Sequence, residues 1–261
     1  MTDRPLRLGT RRSPLAMAQA EEARYRLCAA HQGLTVEIVP VLASGDKIQD
    51  RPLAEIGGKA LWTKELDAWL LAGEIDFAVH SAKDVETLRP AQIAIAAVLP
   101  RADVRDVLVG VDSLEALPPG GRIGTSAPRR AAQALHFRPD CQIVSFRGNV
   151  ATRLGKLAAG EADATLLAAA GLDRLGQSAV GTALDPQVWL PAPGQGCIAI
   201  ECRADDAVTA GLLAAPPALP ALAAPTAPAA PAALAPALDL ATVTPASLAA
   251  QCRAAQTDAD I

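Results

Sequence analysis

The chain has 261 residues, a formal net charge of −4, 51% hydrophobic residues and only 3% aromatic ones. Its length accommodates two domains with cores of their own, at roughly 100–200 residues each. Its acidic balance, with basic residues confined to short motifs, excludes a nucleic-acid coat or a membrane-surface protein. The five cysteines, Cys28, Cys141, Cys197, Cys202 and Cys252, show no C-x-x-C spacing and are too sparse for a secreted disulfide scaffold. No signal pattern opens the chain and no apolar run reaches the roughly 20 residues of a membrane span, so a cytoplasmic protein without membrane or nucleic-acid partners is expected.

In chain order, apolar runs alternate with segments of helical period. The first set is a strand at 6–9, a helix at 14–30, a strand at 35–41, a helix at 61–72, and strands at 75–80 and 93–98. After residues 101–106 the pattern begins again, with a strand at 122–124, a helix from Pro128, a strand at 142–146, a helix at 150–159 and strands at 164–168 and 197–201. This predicts an α/β fold in two units, with a cleft between them as the natural ligand site. Two echoes fit that division: Gly9-Thr10 resembles Gly124-Thr125, and Gly73-Glu-Ile-Asp76 resembles Gly160-Glu-Ala-Asp163. Gly-Thr ends a strand and caps a helix, while Gly-Glu-x-Asp ends a helix and turns into a strand. From Pro216 to Pro236 nearly every residue is Ala or Pro, a composition that predicts an extended or disordered stretch; a short helix is possible at 246–255.

Basic side chains recur where a strand gives way to a helix. Arg11 and Ser13 follow the first strand, Arg129 and Arg130 follow Thr125-Ser126, and Arg147 and Arg153 flank Gly148-Asn149; Arg174 lies in a later turn. Unpaired N–H groups and the positive dipole at helix starts, joined by guanidinium forks, bind carboxylate or phosphate. Any one such arginine is more often a surface residue; their repetition along one sheet edge points to a substrate with several negative charges. His80-Ser-Ala-Lys-Asp84 also ends an apolar strand, and Asp84 is the candidate acid/base group, with an N-cap beside a solvated Lys83 as the plainer reading. Gly57-Gly-Lys59 reads as a flexible turn over the cleft and lacks the rest of a P-loop. Gly194-Gln195-Gly196 reads as a tight hinge before a strand in which Cys197 and Cys202 are core thiols. His31, His80 and His136 stand apart, so no metal site is expected.

Taken together, Thr10-Arg-Arg-Ser-Pro14, Gly57-Gly-Lys59, Val79-His-Ser-Ala-Lys-Asp84, Gly124-Thr-Ser126 with Arg129-Arg130, Arg147-Gly-Asn-Val150 with Thr152-Arg153, and Pro193-Gly-Gln-Gly196 closely resemble the porphobilinogen deaminase family over about residues 4–213. The resemblance implies two type II, periplasmic-binding-protein-like α/β domains with a cleft between them: residues 1–99 with 196–214, and residues 100–195. It implies a monomeric transferase of tetrapyrrole biosynthesis, hydroxymethylbilane synthase, joining four porphobilinogen units head to tail with release of ammonia. It also implies a covalent dipyrromethane cofactor as primer. Asp84 would act on the pyrrole nitrogens as catalytic residue. Arg11, Lys83, Arg129, Arg130, Arg147 and Arg153 would hold acetate and propionate groups, with Ser13, Lys59, Ser81, Thr125, Ser126, Gly148, Asn149 and Gln195 assisting. Arg174 would serve the incoming substrate.

Members of the family carry a third domain whose Gly-Gly-Cys-x-x-Pro loop holds the primer. Here residues 215–261 are an atypical tail, and Cys252 in Ala249-Ala-Gln-Cys-Arg253 is the sole cysteine in that region, without the glycines or the proline. The change after residue 214 reads either as a shifted frame or as a natural two-domain form. A binding module for a small polyanion or pyrrole is therefore the alternative function.

Overall fold

A computed structural model of the protein describes residues 4–41 and 63–214. Lys59 with its glycine turn, Cys252 and the tail from residue 215 lie outside the described residues.

The first sheet is built from β1 (Leu6–Arg11), β2 (Val36–Val41), β3 (Phe77–Ser81), β4 (Ile93–Val98) and, from far along the chain, β10 (Ile198–Arg203). The second comprises β5 (Asp106–Val109), β6 (Arg122–Gly124), β7 (Gln142–Val144), β8 (Ala164–Ala168) and β9 (Thr182–Ala183). Their strand orders are β2-β1-β3-β10-β4 and β7-β6-β8-β5-β9. The two orders are the same pattern: a parallel trio (β2-β1-β3, β7-β6-β8), then one strand running against it, then an edge strand. The reversed strand is in each case the one the chain uses on entering or leaving the other sheet. That exchange is the topology of type II periplasmic-binding-protein folds, as expected from the sequence, and both sheets lie in one compact unit.

Among the described residues the α-helices are α1 (Pro14–Ala30), α2 (Lys64–Leu71), α3 (Pro128–Phe137), α4 (Val150–Ala158), α5 (Ala169–Arg174) and α6 (Ala207–Leu213). Ser13 caps α1 by accepting from the Ala16 N–H at 3.3 Å, and Pro14 fits the first turn, where no N–H is needed. Ala16, Ala20, Ala23 and Leu27 then recur at helical spacing and are buried. They cover β1 and β3, where Leu8 and Phe77 join Ile198 and Ile200 of β10 in the core of the first lobe. The second lobe packs Leu108, Ile123, Leu166 and Trp189 in the same manner.

The echoes occupy equivalent places. Asp76 accepts from the Arg7 N–H at 2.8 Å, and Asp163 accepts from the Arg122 N–H at 2.7 Å. In both lobes the same arginine reaches a glycine carbonyl, Gly73 or Gly160, and both glycines adopt the left-handed conformation that ends a helix. Gly9 and Gly124 are also equivalent: a Cβ at either would run into Ile75 or Phe146 respectively.

β10 is buried on both faces, so Glu201 within it requires partners. Arg89 donates to both its oxygens at 2.9 Å and also clasps Asp67 of α2 at 2.6 and 3.1 Å, while the Glu201 Oε2 lies 3.3 Å from the His80 Nε2. Glu86 stands 3.5 Å from the same guanidinium. Burial raises the Glu201 pKa to about 7, with Asp67 and Glu86 adding to the rise against the pull of Arg89; burial, Arg89 and Arg11 lower that of His80 to about 3. Relative to ordinary values of 4.5 and 6.5, the folded state retains a proton on Glu201 where the unfolded state retains one on His80. The two slopes oppose each other between pH 4.5 and 6.5. Glu201 alone contributes stability that is full below pH 4.5 and lost as pH rises through about 7. Glu201→Gln removes that contribution, so the melting-temperature advantage of the parent over this variant is expected to shrink steadily from pH 4.5 to 7.5 in a calorimetric series.

Candidate functional site

The parallel strands of both sheets end on the same side of their lobes, and the basic loops sit on those ends. β3 runs into a 3-10 turn, Ala82–Asp84, whose Ala82 N–H is held by the Cys197 carbonyl at 3.0 Å. Among the described residues Asp84 makes no side-chain hydrogen bond, and it is half-buried. Ser81 accepts from the buried Gln19 amide of α1 at 3.0 Å. Arg11 ends β1, half-buried.

In the second lobe Thr125 is buried, and its hydroxyl accepts from the Ala127 N–H at 3.2 Å, which shapes the approach to α3; Ser126 and Ser145 hydroxyls lie 3.1 Å apart. Gly148 has φ 106°, and a Cβ there would come within 2.6 Å of Thr152, so the loop needs glycine. Asn149 caps α4, accepting from the Thr152 N–H at 2.9 Å and its hydroxyl at 3.0 Å. This turn presents Arg147, which is buried, and Arg153, whose Nε donates to the Gly148 carbonyl at 3.1 Å.

The two sets of loops share one electrostatic field. Burial, followed by Arg130, lowers the Lys83 pKa to about 8, with Arg153 adding to the drop and Asp84 and Asp106 opposing it. Burial, followed by Arg130, brings Arg153 down to about 10, with Arg147 assisting and Asp84 opposing. Side chains from the β3 turn, α3 and the α4 turn thus converge, and among the described residues that share this field the cations Lys83, Arg130, Arg147 and Arg153 outnumber Asp84 and Asp106. Such a place favours an anion that relieves the repulsion among Lys83, Arg130, Arg147 and Arg153.

Asp106, at the start of β5, organises this convergence and was not singled out in the sequence. Fully buried, it accepts from Arg130 Nη2 at 2.6 Å and Nε at 3.2 Å, Arg129 Nη2 at 2.7 Å, Trp189 Nε1 at 2.9 Å and Gln195 Nε2 at 2.9 Å. Burial alone would raise its pKa; Arg130 and Arg129 overcome that and hold it well below the usual carboxylate range. Gln195 passes the connection across the lobes: its Nε2 also donates to the Val104 carbonyl at 2.7 Å, and its Oε1 accepts from Lys83 Nζ at 3.2 Å. Gly194 and Gly196, both with positive φ, let this buried glutamine sit inside the hinge. One available signal was an acid opening a strand that is otherwise Val-Leu-Val, since a charge there requires cationic partners.

Several expected residues are placed differently from the simple picture of open arginines. Arg130 directs Nη1 to the Leu166 carbonyl at 2.7 Å, and Arg129 also reaches the Leu190 carbonyl, so this pair is engaged by protein acceptors. Arg174 pairs with Glu22 of α1 at 3.1 Å, joining the lobes. Ser13 is the cap of α1. Lys83 is half-buried on Gln195 and is no solvated lysine. Cys202 is a core thiol as expected, whereas Cys197, between Gly196 and the start of β10, is half-buried. No group of His, Cys, Asp or Glu among the described residues could hold a metal ion, and no described helix is long and apolar enough to cross a membrane.

Replacing Asp106 by Ala strands the buried Arg130 charge, and is expected to cost about 3–5 kcal/mol of stability, measured as a lowered denaturant midpoint at unchanged slope.

A family model described as porphobilinogen deaminase, dipyromethane cofactor binding domain, matches residues 6–211. The chain is 63% identical over 221 residues to a porphobilinogen deaminase of Sphingopyxis alaskensis, a match covering 82% of this chain and 70% of that protein. It is 54% identical over 217 residues to one of Paracoccus denitrificans, covering 81% and 69% respectively. Among solved structures, an ancestral cationic amino acid solute-binding protein aligns over 80% of this chain and 86% of its own, with 17% identity and a TM-score of 0.49.

Proposed function

The chain belongs to the porphobilinogen deaminase family, and we propose that it is a hydroxymethylbilane synthase that condenses porphobilinogen units head to tail and releases ammonia at each addition. The observation that carries this reading is the field shared by Lys83, Arg130, Arg147 and Arg153 around Asp84. Each pyrrole unit brings two carboxylates, an acetate and a propionate, which that excess of positive charge can hold. Family membership favours this enzyme over the polyanion-binding module.

Asp84 extends from the turn after β3 with no hydrogen bond of its own among the described residues, free to accept one from a pyrrole N–H. As the amine leaves, positive charge spreads over the ring, and a carboxylate fixed beside the nitrogen stabilises it while cations further off keep the substrate in register. We assign carboxylate binding to Arg11, Lys83, Arg147 and Arg153, with Ser13, Ser81, Thr125, Ser126, Gly148 and Asn149 shaping the loops. Arg129 and Arg130 contribute chiefly through charge, being engaged by Asp106. Lys59 is assigned an assisting role in substrate binding, and Arg174 the approaching unit, for which it must leave Glu22. Residues 1–99 with 196–214 and residues 100–195 are read as two domains that close on the substrate.

The dipyrromethane cofactor of the family supplies the first acceptor ring when bound. The same cations fit its carboxylates, since the residues that depress one another's proton affinity are relieved by an anionic group. The described cysteines, Cys28, Cys141, Cys197 and Cys202, belong to core or hinge, which leaves Cys252 as the attachment site to test. We read the enzyme as a cytoplasmic monomer with no nucleic-acid or membrane partner.

Asp84→Asn is expected to lower ammonia release from porphobilinogen by about a hundredfold or more, with the affinity for a dipyrrole carboxylate retained. Parental ammonia release by the variant would overturn the assignment. The intact mass of the purified full chain, expected to exceed the sequence mass by one dipyrromethane, checks the cofactor.

A further inference from the structure

His80 and Arg89 bracket the segment that carries Asp84, and both converge on Glu201 of β10. The His80 Nε2 lies 3.3 Å from Glu201 Oε2 on one side, and the Arg89 fork closes on both oxygens at 2.9 Å on the other. The segment between them has little packing of its own. Val85 is buried, but Thr87 and Leu88 are exposed, and its one regular feature is the three-residue turn at Ala82–Asp84. A short arc of this kind keeps its shape when its ends are fixed, because closure removes most of its conformational freedom. Glu201 is itself rigidly placed: it lies in a strand paired on both sides, and the register with β4 shifts between Ile200 and Glu201, an irregularity that re-aims side chains. His80 Nε2 makes no hydrogen bond among the described residues and faces Glu201 Oε2 at 3.3 Å, while pairing of β3 with β10, His80 opposite Ala199, fixes the backbone that carries it. Asp67 of α2 completes the clasp on Arg89, with Glu86 beside it.

We propose that Glu201 is a positioning residue for Asp84, stapling the two ends of the segment that carries it through His80 and Arg89. This deepens the proposed function and rests on Asp84 being its catalytic group. Glu201 is remote from the substrate, and acts by keeping Asp84 within reach of the pyrrole nitrogen while the cations of the second lobe hold the carboxylates.

Hydrogen–deuterium exchange by mass spectrometry on the full chain tests the staple directly, using Glu201→Gln and, as a milder second variant that keeps the charge but loses the fork, Arg89→Lys. Amides of residues 81–89 are expected to exchange about tenfold faster in both variants, with residues 142–168 unchanged. No change at 81–89, or a rise shared equally by 142–168, overturns the proposal. In ammonia release, kcat of both variants is expected to fall about tenfold at nearly constant KM, since displacement of a reacting group affects the transition state more than binding. A KM increase at constant kcat overturns it equally. A parent chain that releases no ammonia would defeat the proposed function, while the exchange measurement would still decide whether Glu201 holds the segment.

Discussion

The buried carboxylate of Asp106 is the interaction on which the rest of the molecule is arranged. It stands on the first strand after the chain crosses from one sheet to the other, and receives hydrogen bonds from α3, from the Trp189 segment and from the returning crossover at Gln195. A lone carboxylate there would be prohibitively costly; with two guanidiniums, an indole and an amide it becomes the fixed point that sets where each of those groups lies. Through Gln195 the arrangement extends to Lys83, one residue from Asp84. The hinge, the arginines of α3 and the turn that carries Lys83 and Asp84 thus share a single hydrogen-bonded path.

That path divides the arginines into two kinds. Arg130, Arg129 and Arg89 are engaged by internal carboxylates and carbonyls, and shape the protein. Arg153 has a lowered proton affinity because burial and neighbouring cations leave it short of negative charge. The sequence motif does not distinguish the kinds, since both follow strand ends. What separates them is whether the protein has placed its own acid within reach.

Much of this architecture was legible in the sequence. The helical period was sufficient to place α1 at Pro14–Ala30, and the Gly-Thr and Gly-Glu-x-Asp echoes mark equivalent joints in the two lobes; the threonines of the Gly-Thr pairs are not the caps expected of them, since Ser13 caps α1 and α3 begins after Ala127 without a side-chain cap. The strand starting near residue 142 is shorter than its apolar run, because residues 145–147 turn away to form the Arg147 loop. What could not be read were partnerships between distant positions. Asp106 meets Gln195 across 89 positions, and Arg174 meets Glu22 across 152. Local patterning reports which face a side chain occupies; it carries no record of which remote segment arrives opposite. Glu201 shows the same limit: a glutamate in an apolar run announces that a cation must be near, without naming Arg89.

The paired joints at Arg7 with Asp76 and Arg122 with Asp163 lie where β1 and β6 begin, at the opposite end of each sheet from the loops that carry Lys83, Asp84 and Arg153. The protein therefore separates durability from chemistry along the strand axis. Changes at those joints can harden or soften a lobe at a distance from Lys83, Asp84 and Arg153, which makes them natural places for sequence drift, and for thermal adaptation by engineering, to act.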